Sequence, residues 1–71
     1  MKYDVTIASV PDRDQLVAEI WIEGILFGEV RTDALNTYVE LYSRPDGKPW
    51  TFECDRLSII LSEAKTKLLS G

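Results

Sequence analysis

Few side chains in this 71-residue chain have the type and spacing to do chemistry. Glu19 with Glu29, and Asp12 with Asp14, are placed so that strand pairing or a turn can bring two carboxylates together. Paired carboxylates serve general acid–base work, but most such pairs on strands and turns are simply solvated, and no catalytic residue is assigned to them. Cys54 is the one thiol, and the chain contains no histidine. The commonest general base and metal ligand is therefore missing, and Cys54 has no imidazole to activate it. Gly24, Gly28, Gly47 and Gly71 are too scattered to cradle a phosphate. The expectation is a protein that is not an enzyme and takes neither cofactor nor metal.

The aromatic residues are the more informative feature. Read as strands, 16–23, 25–31 and 38–43 carry large apolar or aromatic side chains on both faces, yet the chain has one convincing helix. One helix covers one face of a small sheet. The other face then holds Trp21, Tyr38 and Tyr42, with Phe27 as a possible fourth ring. At about 150–250 Å² each, the three rings make a patch of about 450–750 Å², at or above the largest usual on a monomer. Trp21, Tyr38, Tyr42 and Trp50 are therefore the expected anchors for a partner, with Arg44 and Lys48 as charges at the rim. The competing arrangement has the 44–50 turn folding back over this face to cover Trp21. Stacking of single-stranded nucleic acid on the rings is disfavoured, because Glu19, Glu29 and Glu40 share the face and repel phosphate.

Length allows one domain and no second core. Hydrophobic content of 45% and charged content of 28% are those of a globular chain. Domains this small are often supported by disulfides, metals or self-association. A lone cysteine forbids an internal disulfide and no histidine is present to join it in a zinc site, so the first two are nearly excluded and self-association or a permanent protein partner is left. The single cysteine fits a reducing, cytoplasmic setting. The first residues lack the apolar core of a signal peptide, and no stretch approaches the ~20 apolar residues of a membrane span. A net charge of −4 disfavours nonspecific nucleic-acid binding and suits a basic partner.

The elements that position these residues follow from periodicity. Alternation predicts strands over about 3–9, 16–23, 25–31, 38–43 and 50–53. Turns are expected at Pro11-Asp12-Arg13-Asp14, at Glu23-Gly24 and, most strongly, at Arg44-Pro45-Asp46-Gly47-Lys48-Pro49. The Glu23-Gly24 hairpin has two possible registers. A two-residue turn places Phe27 beside Ile20 on the core side. A three-residue loop, preferred because it keeps Ala18, Ile22, Leu26 and Val30 together, pairs Ile22 with Leu26 and sets Phe27 across from Trp21, at the cost of opposing Glu19 to Glu29. Leu57, Ile60, Leu61, Ala64 and Leu68 form the apolar stripe of a helix over about 55–70, with Asp55 as its cap. Arg56, Ser58, Glu63, Lys65 and Lys67 are left to water. The fold class is α+β: an antiparallel meander of four or five strands with one C-terminal helix on one face.

The run Leu16-Val17-Ala18-Glu19-Ile20-Trp21, then Gly24, Glu29-Val30, Glu40-Leu41-Tyr42 and Arg44-Pro45-Asp46-Gly47-Lys48-Pro49-Trp50, resembles a group of small uncharacterised bacterial proteins. The resemblance spans nearly the whole chain and implies a compact bacterial domain, with no activity and no catalytic residues to carry over. The functional expectation is stoichiometric protein–protein binding, of the kind an inhibitor, immunity protein or antitoxin of a bacterium, phage or mobile element performs. A homodimer joined face to face through the rings, of accessory role, and a single-strand nucleic-acid binder are the alternatives.

Overall fold

The computed structural model describes residues 1–9 and 15–70. Strands β1 (Tyr3–Ser9), β2 (Leu16–Ile22), β3 (Ile25–Thr32) and β4 (Thr37–Leu41) pair antiparallel in sequence order, and helix α1 (Cys54–Ser70) packs on one side of the sheet. The architecture is the α+β meander expected. The turn at Pro11-Asp12-Arg13-Asp14, the Asp12 and Asp14 carboxylate pair and Gly71 lie outside the described residues.

The core forms where the strand and helix stripes meet. Val5, Ala18, Ile20, Ile22, Phe27 and Val30 from the sheet bury against Ile60, Ala64 and Leu68 of α1, with Leu57 and Leu61 partly buried beside them. Each of these helical positions belongs to the stripe read from the sequence. The cap lies two residues earlier than expected. The Leu57 amide donates to the Glu53 carbonyl at 3.0 Å, so Glu53 takes the cap position and Asp55 sits in the first turn, where its charge favours the helix dipole.

The β2–β3 hairpin overturns the preferred register. Ile22 pairs with Ile25, not Leu26, across a two-residue turn in which Glu23 and Gly24 both have positive φ, 51° and 79°. Such a turn matches the twist of paired strands. Glu23 occupies a backbone region unfavourable for its side chain, and it is tied down twice. Its amide donates to the Lys2 carbonyl, and its carboxylate accepts from the Lys2 amide, each at 2.9 Å. A bulge then reconciles the two registers: Trp21 opposes Leu26 while Ile20 opposes Gly28, leaving Phe27 as the extra residue. Phe27 is buried in the core, Ala18 still pairs with Val30, and Glu19 still faces Glu29.

Segment 50–53 is not a strand. Trp50 and Phe52 alternate as strand residues do, but the segment joins no ladder and inserts both rings against Phe27. The Phe27 ring meets Trp50 edge-on at 5.2 Å and Phe52 at 5.0 Å, while Trp50 and Phe52 stack at 6.1 Å. Edge-to-face rings at these separations contribute beyond their buried area.

Gly28 lets β3 and β4 approach closely. A Cβ there would stand 2.5 Å from the Glu40 carbonyl oxygen, which is backbone and cannot swing away. Gly28→Ala is expected to lower stability by about 1–3 kcal/mol through forced separation of the two strands. Urea denaturation followed by tryptophan fluorescence measures this, and an unchanged midpoint contradicts the close approach.

Candidate interaction face

The side of the sheet away from α1 is built by the residues that alternate with the core. Asp4, Thr6 and Ala8 of β1, Val17, Glu19 and Trp21 of β2, Leu26, Glu29 and Arg31 of β3, and Tyr38 and Glu40 of β4 occupy it, and Tyr42 continues it; Val17 is the one fully buried side chain among them. The registers place Glu19 opposite Glu29 and Glu29 opposite Glu40, so three carboxylates stand in one row across three strands. Directly opposed like charges destabilise a sheet. Partial relief comes from Arg31, whose guanidinium lies 3.4 Å from the Glu40 carboxylate and over the Tyr38 ring at 5.5 Å. The Trp21 indole N–H donates to Glu19 at 3.4 Å.

Trp21 and Tyr42 are half-buried, and Tyr38 is 42% exposed. The bare aromatic area is thus smaller than three whole rings. Burial, followed by the nearby charges of Glu29 and Glu40, pushes the Tyr42 phenol above its ordinary value.

The six expected contact residues do not form one site. Trp21, Tyr38 and Tyr42 share the open side. Trp50 does not: it packs into the helix-side core against Phe27 and Phe52, and its indole N–H donates to the Tyr42 carbonyl at 2.8 Å. The Trp50 ring therefore holds the 44–50 turn toward the core and not over Trp21. Arg44 is engaged within that turn, with its guanidinium forked onto Asp46 at 2.8 and 3.1 Å and stacked over Trp50 at 5.3 Å. Tyr42, Arg44, Lys48 and Trp50 nonetheless line one open hollow of about 500 Å³ beside the end of β4.

Sequence reasoning missed a second bare region. Val39 and Leu41 alternate onto the helix side, yet they are 43% and 60% exposed, and every residue of β4 is exposed. Leu35, in the turn before β4, is 92% exposed. The signal available was width: a helix about 10 Å across covers two or three strands spaced about 4.8 Å apart. α1 packs on β1, β2 and β3.

Cys54 is exposed, and no cluster of potential metal ligands occurs among the described residues. No described helix is long and apolar enough to cross a membrane. Comparison with protein-family models, curated proteins and solved structures finds no match.

Two predictions follow from these charges. Glu29→Gln, which removes the middle of the row, should raise stability at neutral pH by roughly 0.2–1 kcal/mol. That gain should vanish in acid, where the carboxylates are protonated, and thermal melts at pH 7 and pH 3 compare the two. The Arg44 guanidinium, followed by the Lys48 amide, holds the Asp46 carboxyl below its usual 3.8. A group depressed in the folded state stabilises above its unfolded value, and the effect fades as pH falls through the folded one. Closure of the 44–50 turn should therefore loosen below about pH 4. In Asp46→Asn, that acid transition of Trp50 fluorescence should be absent.

Proposed function

We propose that this protein acts without catalysis, by stoichiometric binding of another protein that presents a basic surface to the open side of the sheet. The observation carrying this reading is the row Glu19, Glu29 and Glu40 set between Trp21 and Tyr42 on one flank and Tyr38 on the other, with α1 on the opposite side. Aromatic rings with polar tips supply contact area at low entropic cost, and carboxylates between them favour Lys and Arg on the partner. The same row repels a phosphate backbone, which weighs against a nucleic-acid ligand. A small acidic domain of this design suits an inhibitor, immunity or antitoxin-type protein, and that assignment rests on class alone. A reducing, cytoplasmic setting accords with the lone cysteine, and a bacterial source rests on the sequence resemblance alone.

The test is the Trp21→Ala, Tyr42→Ala double variant, checked for folding by circular dichroism. The wild type should capture one protein in a one-to-one complex that weakens with salt. Loss of two anchors worth together at least about 2 kcal/mol should weaken that complex at least about thirtyfold. A folded double variant that holds the same protein equally well rules out the open side as the contact surface.

A further inference from the structure

The two edges of the sheet differ. In β1, the hydrogen bond from the Glu23 amide to the Lys2 carbonyl sets the alternation, so that Tyr3, Val5 and Ile7 turn their backbone groups away from β2. The outward Val5 carbonyl is taken by the Lys67 ammonium at 2.8 Å, the Lys67 side chain reaching across from α1 instead of standing free in water. A lysine on an edge is a recognised guard against strand addition. β4 has no such guard: it contains neither Lys nor Pro, and its one charge, Glu40, is engaged by Arg31.

Parity on β4 is equally definite. The Tyr42 amide donates to Phe27, and the Asp33 amide to Asn36, each bond falling on the β3–β4 register. Tyr38 and Glu40 therefore turn their backbone groups toward β3, while Thr37, Val39 and Leu41 turn theirs outward. Val39 is the centre of a five-residue strand and faces out.

We infer that β4 pairs antiparallel with β4 of a second copy of this chain, with Val39 on the two-fold axis. Val39 then faces Val39, Thr37 faces Leu41, and about six backbone hydrogen bonds form. On the open side each Tyr38 meets the other copy's Glu40 in a non-hydrogen-bonded pair, so like charges do not oppose across the axis. The same register sets the second copy's Leu35 level with Ser43. There the hollow lined by Leu41, Tyr42, Ser43, Pro49 and Trp50 opens, and a side chain 92% exposed in one copy gains a place in the other. A second copy is favoured over an unrelated strand because this register seats both Leu35 side chains and all the outward groups at once. Of the open side, pairing by the edge takes up only Tyr38 and Glu40 at the seam and leaves Trp21, Glu19 and Glu29 uncovered, so this inference and the proposed partner face are read by separate measurements, chain mass here and capture of another protein there.

Light scattering behind size-exclusion chromatography, from about 1 μM to 1 mM chain, tests it, with Val39→Pro and Leu35→Ser as variants. Proline at 39 removes only an outward donor and no bond to β3, and serine at 35 replaces an exposed side chain, so both should keep the wild-type circular dichroism. The wild type should reach about 16 kDa, twice the 8.1 kDa of one chain. Each variant should raise the dissociation constant at least about tenfold. A wild type that stays monomeric to 1 mM overturns the inference, whether or not it pairs with another protein. So does a dimer that either folded variant leaves unchanged. Should Val39→Pro lose its fold, Leu35→Ser decides alone.

Discussion

An α-helix with its side chains is about 10 Å wide, and four paired strands span about 14 Å between their outermost axes. One helix cannot roof such a sheet from side to side. In this chain α1 lies over β1, β2 and β3, and the remaining strand carries Val39 and Leu41 on the roofed side without a roof. The rest of the surface follows from that shortfall. Trp50 and Phe52 come in from the 42–53 segment to close the core around Phe27, which the helix alone does not enclose. The strand farthest from the helix keeps its outward backbone groups and its apolar side chains.

The bulge at Phe27 shows how local and global demands were reconciled. A tight turn at Glu23-Gly24 and a register matching Ala18 to Val30 are incompatible on a regular ladder, because they differ by one residue. Inserting Phe27 satisfies both, and it also delivers a large ring to the core at the point where Trp50 and Phe52 arrive. The cost is that Glu19, Glu29 and Glu40 line up, an arrangement unfavourable to the isolated fold. Features that cost stability without serving the core are often retained for recognition.

Much of the fold was legible from periodicity and turn chemistry. The helical stripe, the positions of the four strands β1 to β4 and the Arg44-Pro45-Asp46-Gly47 turn all follow from residue types, whereas the strand expected at 50–53 does not form; the turn closes with the Gly47 amide donating to Arg44 at 3.1 Å. The side on which Phe27 lies was not legible, because a bulge leaves no mark in an alternating pattern beyond a glycine. Gly28 is that mark here, with the bulge beside it and the close approach of β4 against it. Trp50 was grouped with the open-side rings for a related reason. An indole beside a Pro-Asp-Gly turn looks like an exposed tip, and only the positions of Phe27 and Tyr42 turn it inward. The bareness of β4 depended on where the helix axis falls, which side-chain spacing does not encode.

The reach of Lys67 across to Val5 has a consequence for how copies of this chain can accumulate. A flat layer open at both rims can add units head to tail without limit and grow into a ribbon, the geometry of fibrils. Parking an ammonium group on one rim ends that growth after a single addition, since any two units joined at their free rims present only lysine-guarded ones to a third.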